Sequence, residues 1–280
     1  MVGDIAVVVD SASYLPAEVH EKYGLTTVPL TVVLDGEEFC EFDTLVADEF
    51  YERLATGAKV TTSQPPPGLF SFAYESLAAA GARQIVSIHI GSALSGTVNS
   101  ARLAAEMVDV PVRIIDTGQA SFIEGFSVWA LCEALVEGAT LDDAEARSLA
   151  AGSGSGNVFI VGGLQLLEQG GRFKNEGDTG PVPVLAAIDG TVAPIGSAAT
   201  VEEAMDTMTA HVSAAFEAAP GRRFRVGISN GAADELANDL EARVVAFEQV
   251  DEVCQYVIGP SVGAHTGPGC VGAVFLALGA

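Results

Sequence analysis

The stretch QIVSIHIGSALSGTVNSA, residues 84–101, determines how the surrounding chain folds. It opens on residues 85–90, an apolar run rich in β-branched side chains that is typical of a strand buried on both faces. Small polar residues follow, and helical spacing resumes at Val98. The first amides of such a helix have no intrahelical partners, so this strand–turn–helix unit predicts an anion site. The alternative is that Ser95 only caps the helix.

Strands and helices alternate on both sides of this unit. Further buried strands are predicted at residues 5–9 and 112–115, and helices at residues 69–80 and 122–137. This succession predicts a mostly parallel sheet flanked by helices. In such sheets ligands bind at the carboxyl ends of the strands.

Two segments are predicted from their local composition. Residues 26–34 are expected to form one strand, with Pro29 indicating an edge position or a bulge, and Asp35-Gly36 is a hairpin turn. Residues 60–67, which end in three prolines, are expected to form a rigid loop that carries hydroxyl groups.

The clearest break in composition is the Gly/Ser-rich run at residues 152–157, which is predicted to be a linker. It separates an N-terminal α/β domain, residues 1–152, from a C-terminal one, residues 157–280. The C-terminal part is predicted to be a mixed-sheet α/β sandwich. The fold class is therefore α/β with two domains.

Charge and composition exclude several classes of function. The formal net charge of −24 leaves no cationic surface for nucleic acid. No apolar run approaches the roughly 20 residues that span a bilayer, and no signal peptide is visible. The four cysteines are scattered, as expected for reduced thiols in a cytoplasmic protein. The histidines have no ligand spacing, so no metal site is predicted.

The run GPSVG, residues 259–263, fits the nucleophile-elbow pattern of serine hydrolases. That elbow needs a helix directly after the serine, and the residues Ala-His-Thr-Gly-Pro-Gly are not expected to start one. Residues 259–269 are therefore predicted to be a loop that directs His265. His89, inside a predicted strand, is expected to be a hydrogen-bonded core histidine.

Five motifs follow one another along the chain: VVVDSASYLP (7–16), VTTSQP (60–65), HIGSALSGTVNSA (89–101), QGGR (169–172) and SVGAHTGPG (261–269). In this order and at these spacings they resemble the DegV family over essentially the whole chain. The resemblance implies a non-catalytic protein of two α/β domains that binds one long-chain fatty acid, with the carboxylate between the domains and the acyl chain in an apolar tunnel.

The resemblance also implies a partner. In many bacteria such proteins are the fatty-acid-binding subunit of a fatty acid kinase. A separate, dihydroxyacetone-kinase-like protein supplies ATP, and the acid becomes an acyl phosphate for phospholipid synthesis. No cofactor or metal is implied beyond the bound fatty acid.

Carried over residue by residue, the family's carboxylate site corresponds to Thr62, Ser95 and His265. Thr61 and Ser92, beside them, complete the predicted site. Hydroxyl and imidazole groups can each donate a hydrogen bond to a carboxylate, worth roughly 1.5–3 kcal/mol apiece.

Two departures from the family pattern bear on function. Gly91 stands where the family usually has a serine. Residues 182–203 lack the basic cluster that the family carries there, although Arg172 remains as a possible contact to a partner or phosphate.

Three functions therefore stay open: a kinase subunit, a lipid carrier or sensor without a kinase, and a small-substrate hydrolase. The hydrolase would use Ser95 or Ser261 with His265, and it is disfavoured because no carboxylate is evident to orient the histidine.

Overall fold

The structure is a computed structural model, and it describes residues 1–169, 181–188 and 191–279. The chain divides into two compact units. The first contains Met1–Val46 and Lys59–Ser153, and the second contains Ala47–Ala58 and Gly154–Ala280.

The strands, in chain order, are β1 (Ile5–Asp10), β2 (Thr26–Val28), β3 (Thr31–Leu34), β4 (Glu37–Cys40), β5 (Val60–Ser63), β6 (Gln84–His89), β7 (Val112–Asp116), β8 (Gly156–Ile160), β9 (Val182–Ile188), β10 (Thr191–Ala198), β11 (Arg223–Gly231), β12 (Val250–Val257) and β13 (Cys270–Leu278). The helices are α1 (Ala17–Tyr23), α2 (Ala47–Ala55), α3 (Pro67–Ala79), α4 (Thr97–Ala105), α5 (Phe122–Val136), α6 (Leu141–Ser153), α7 (Leu164–Gln169), α8 (Val201–Glu217), α9 (Asp234–Val244) and α10 (Pro260–Thr266). A 3-10 turn covers Ser11–Ser13. Among the described residues, none of these helices has the length and apolar character needed to cross a membrane.

The first unit is built on a parallel sheet of four strands in the order β2-β1-β6-β7. The prediction of a parallel sheet is thus confirmed. Ala6, Val8 and Ile85 pack in one cluster with side chains of α3 and α4. Val7 and Val86, which point to the other face, are equally buried. Cover on both faces explains why β1 and β6 are continuous β-branched runs.

A second sheet of the first unit is antiparallel, in the order β4-β3-β5. The hairpin at Asp35-Gly36 is confirmed, since Leu34 pairs with Glu37. The single strand predicted for residues 26–34 is wrong. β2 belongs to the parallel sheet and β3 to the antiparallel one. Pro29 lies at the break because it has no N–H for a ladder, and the Leu30 N–H donates to Ser11 Oγ at 2.9 Å.

The loop predicted for residues 60–67 is also wrong over its first half. Residues 60–63 form β5, which pairs antiparallel with β3 and places Thr62 opposite Val32. The threonines are good strand residues once a partner edge is available. That edge belongs to a distant part of the chain, which a local reading of the sequence does not reveal.

The second unit contains a mixed sheet of six strands in the order β10-β9-β8-β13-β11-β12. Among the strands that the structure describes there, only β11 and β12 pair in parallel. Its core clusters side chains of α8 and α9 with those of the sheet, and Phe216 stacks on Phe224 at a centroid distance of 4.1 Å. The predicted mixed α/β arrangement is confirmed.

The linker predicted at residues 152–157 is mostly regular structure. α6 continues through Ser153, and β8 begins at Gly156. Glycine is accommodated at position 152 of α6 because the backbone there packs tightly against α5: a Cβ on Gly152 would lie 2.5 Å from Ser127 Oγ. Tertiary packing outweighs the low helix propensity of glycine at this position.

Gly91, directly after β6, generates a prediction about stability. A Cβ on Gly91 would lie 2.6 Å from the carbonyl carbon of Gly118, which is backbone and cannot rotate away. Gly91→Ala should therefore destabilise the protein by about 1–3 kcal/mol, the usual cost of overpacking. Thermal denaturation measures this as a lower midpoint.

Gly68→Ala is the matched control, because nothing lies within 4 Å of a Cβ on Gly68. Its melting temperature should be unchanged or slightly higher. Equal melting temperatures for wild type and Gly91→Ala would contradict the close approach of the Gly118 backbone.

Candidate functional site

The polar groups of the first unit gather at the carboxyl edge of its parallel sheet. Asp10, His89 and Asp116 are the last residues of β1, β6 and β7, and His89 is in register with Asp116. Parallel strands end at the same edge, so three distant segments of the chain meet there.

Asp10 is the centre of this edge. Its Oδ2 accepts hydrogen bonds from Ile90 N at 2.9 Å and contacts His89 Nδ1 at 3.1 Å. Its Oδ1 accepts from Ala12 N at 3.0 Å. The Asp10 side chain is fully buried, so these bonds replace the water that a carboxylate needs. Asp10 therefore joins the ends of β1 and β6.

His89 continues the network into the core. Its Nε2 lies 2.6 Å from Ser87 Oγ, which lies 2.7 Å from Tyr74 OH. All three side chains are buried, and burial raises the pKa of Tyr74 to about 12 while its bond to Ser87 lowers it. His89 is thus a hydrogen-bonded core histidine, as predicted.

The turn after β6 carries Ser92 and Ser95. Ser92 N donates to Asp116 Oδ1 at 3.0 Å, and Ser95 N donates to Gly91 O at 3.1 Å. The Ser95 hydroxyl lies 2.8 Å from Thr97 Oγ1 and accepts a long 3.4 Å bond from Thr97 N. The N-cap position of α4 is Gly96, so Ser95 is not its N-cap residue. Its half-buried hydroxyl remains at the start of the helix.

Thr61 and Thr62 lie on β5, with Thr61 exposed and Thr62 half-buried. The segment that follows them packs on the Ser95 turn, because a Cβ on Gly96 would lie only 2.9 Å from Gln64 Cδ. The first unit thus brings the predicted threonine and serine segments together.

His265 belongs to the second unit, and the loop predicted around it is wrong. Residues 260–266 form α10, with Pro260 at its first position, where the missing N–H costs nothing. The helix packs on α2: a Cβ on Gly263 would lie 2.7 Å from Tyr51 OH, which donates to Ile258 O at 3.1 Å. His265 is half-buried in the last turn of α10.

The presence of α10 bears on whether this protein could be a serine hydrolase. A helix does follow Gly259, so the reason given from the sequence was wrong. Ser261 nevertheless lacks the features of a nucleophile elbow. It lies inside the first turn of α10, is only 4% exposed, and is not among the residues with positive φ.

Thr62 and Ser95 are described within one unit and His265 within the other, so their joint arrangement remains a prediction. Arg172 lies outside the described residues. Phe122 and Phe126 of α5 are fully buried, with their ring centroids 4.9 Å apart. Among the described residues, no group of three or more His, Cys, Asp or Glu side chains could hold a metal ion.

One feature of the first unit, a cavity, is not predicted from the sequence. A cavity of about 450 Å³ is lined by Asp10 and Glu41 together with Tyr14 and Phe42. Both aromatic residues have positive φ, 47° and 62°, and their rings meet edge to face. Glu41 accepts hydrogen bonds from Ser11 and Tyr14. The motif around Asp10 was visible in the sequence, but nothing local connects Glu41 with it.

Comparisons with known proteins agree with these elements. Residues 4–278 match the sequence profile of the DegV family of uncharacterised proteins. A DegV domain-containing protein of Streptomyces coelicolor is 34% identical, over 96% of this chain and 97% of that protein.

Solved structures are similar over nearly the full length. A DegV family protein from Thermus thermophilus, described for its fatty acid binding, is 30% identical with a TM-score of 0.87, covering 98% of this chain and 99% of that one. DegV from Bacillus subtilis, described as a fatty acid binding protein, is 26% identical with a TM-score of 0.85, at the same coverage. The motif order, the fold and these matches lead to one conclusion: the chain belongs to the DegV family.

Proposed function

We propose that this protein binds one long-chain fatty acid and performs no catalysis on it. The observation that carries the proposal is the likeness to the Thermus thermophilus protein, 30% identical over 98% of this chain and described for fatty acid binding. The close approach of Gln64 to Gly96, which joins the Thr62 and Ser95 segments, supports the same function.

The proposed carboxylate donors are the hydroxyls of Thr62 and Ser95 and the imidazole of His265, with Thr61 and Ser92 beside them. These groups can orient a carboxylate without a tight ion pair. The net charge of −24 repels an anion at long range, but salt screens this repulsion beyond about 8 Å. The local donors therefore decide whether the head group is accepted.

The acyl chain supplies most of the proposed affinity. Burial of each methylene is worth about 0.8 kcal/mol, so a chain of more than a dozen carbons outweighs two or three hydrogen bonds. The head-group site then fixes the orientation of the lipid, and an apolar tunnel selects its length and shape.

We infer further that the bound acid is presented to a separate ATP-dependent fatty acid kinase. The family resemblance supports this role. A carrier or sensor without a kinase is the alternative, and the hairpin of β9 and β10 favours it: residues 181–203 contain no Lys or Arg, and Ile188 and Ile195 are exposed there. A kinase that recognises this protein has to use another surface.

The first prediction concerns the ligand itself. Denaturing mass spectrometry of the purified protein should release one long-chain fatty acid per chain, because the acid is buried and dissociates slowly. A protein that yields no fatty acid, even after incubation with acids of several lengths, would refute lipid binding.

The second prediction concerns the head-group site. Ser95→Ala should weaken fatty acid binding by about 10- to 150-fold, the equivalent of one lost hydrogen bond to a charged group. Titration with a fluorescent fatty acid measures the change. His265→Ala should show a loss of the same size.

Ser76→Ala is the control for the serine variant. Ser76 is exposed on α3, and its hydroxyl donates only to Phe72 O. It should bind like wild type. Affinities that are equal for Ser95→Ala and Ser76→Ala would remove Ser95 from the site.

The third prediction separates the kinase subunit from the carrier. Incubation with ATP and a dihydroxyacetone-kinase-like partner from the same organism should yield acyl phosphate, trapped as the hydroxamate, and the protein with ATP alone should yield none. A loaded protein that gives no hydroxamate with its partner is a carrier or sensor.

A further inference from the structure

Glu124, in the first turn of α5, is a buried carboxyl group that the proposed function does not use. It is 0% exposed, and no hydrogen-bond donor among the described residues reaches either of its oxygens. It is buried because α5 lies directly on the 3-10 turn Ser11–Ser13: a Cβ on Gly125 would lie 2.5 Å from Ser13 O. A buried polar group without a partner is costly, so its protonation state matters.

The groups that face Glu124 are carboxylates. Burial raises the pKa of Glu124 well above its ordinary value. The negative charge of Asp10 on β1, a side-chain hydrogen bond to Asp10 and the negative charge of Glu41 after β4 raise it further. The 3-10 turn against α5 has no titratable side chain. His89 contacts the other side of this carboxylate pair, with its Nδ1 3.1 Å from Asp10 Oδ2.

α6 also packs on α5, and its charged side chains are exposed except for Glu145, which is half-buried. They are Asp142, Asp143, Glu145 and Arg147. Arg147 pairs with Glu137, and Arg113 pairs with both Asp142 and Glu145. Among the described residues, the charges that raise the pKa of Glu124 are those of Asp10 and Glu41.

Asp10 can accept one more proton donor. Its Oδ2 is engaged by Ile90 N and His89 Nδ1, whereas among the described residues its Oδ1 accepts from Ala12 N alone. An ionised carboxylate offers about two lone-pair directions per oxygen, so one direction on Oδ1 is available. A neutral Glu124 has one O–H to donate.

We propose that Glu124 is a neutral carboxylic acid that shares its proton with Asp10, and that this pair positions the Ser95 turn in a pH-sensitive way. Asp10 holds Ile90 N, and residues 91–97 start from Ile90. Glu124 is thus a positioning residue that acts through Asp10. The effect of Glu124 on lipid affinity rests on the proposed function, whereas the proton shared by Glu124 and Asp10 does not.

The pH dependence has a defined sign. Below the ordinary glutamate pKa of about 4.3, both folded and unfolded chains hold the proton. Above it the unfolded chain releases the proton and the folded chain keeps it. The unfolding equilibrium constant therefore rises up to tenfold per pH unit from this group until the raised folded pKa is passed. Ionised Glu124 would then face Asp10 and Glu41 as a third negative charge.

Glu124→Gln tests the proposal, because the amide keeps a donor for Asp10 but cannot ionise. Thermal denaturation between pH 5 and pH 9 should show wild type losing stability with rising pH relative to Glu124→Gln. Infrared spectroscopy at pH 7 should show a protonated carboxyl C=O band in wild type that is missing from the variant. The exposed Glu75→Gln is the control and should keep the wild-type pH slope and band.

The lipid arm uses palmitic acid bound at the same pH values. Wild type should lose affinity as the pH rises, Glu124→Gln should keep a constant affinity, and Glu124→Leu, which has no donor, should bind weakly at every pH.

The shared proton would be overturned if the stability of wild type and Glu124→Gln had the same pH dependence. It would also be overturned if their infrared spectra showed no difference in the protonated carboxyl C=O band. Identical pH profiles of binding in wild type and Glu124→Gln would overturn the positioning role while leaving lipid binding intact. A slope difference in a protein that binds no lipid would instead refute the proposed function.

Discussion

The buried carboxylate of Asp10 is the interaction on which the first unit depends. It ends β1, and its two oxygens hold the amides of Ala12 and Ile90 and the imidazole of His89. A fully buried carboxylate is tolerated only with several donors around it. Separating the ends of β1 and β6 would therefore remove donors from the buried charge of Asp10. The Ser95 turn begins one residue after this junction. A hydroxyl-bearing turn is thereby attached to this buried, hydrogen-bonded junction.

Close backbone approaches place the other segments. Gly91 lies against Gly118, Gly96 against Gln64, and Gly263 against Tyr51, each at a distance that a Cβ would obstruct. In these places glycine acts through its lack of a side chain, since none of the three has a positive φ. The turn that carries Ser95, the strand that carries Thr62 and the helix that carries His265 are each positioned in their own unit by such a contact.

The proposed binding chemistry divides the work between two kinds of interaction. The alkyl chain is recognised by apolar burial, which is strong and carries no direction, and the carboxylate by a few neutral or weakly charged donors, which are directional. A net charge of −24 repels an anion at long range, so it does not help to attract the carboxylate. Such a surface suits the proposed recognition of a lipid by shape and local hydrogen bonds.

The sequence by itself determined the elements whose signals are local. The β-branched runs of β1 and β6 and the turn at Asp35-Gly36 follow from local composition and turn chemistry, and the ordered motifs identified the family. The tertiary structure decided what depends on distant partners. β5 is a strand because β3 offers an edge, and α10 is a helix because α2 packs against it. Glu41 and Glu124 approach Asp10 only in the folded unit. The pKa of a buried carboxyl group depends on its neighbours in space, and no pattern in the sequence indicates which residues these are.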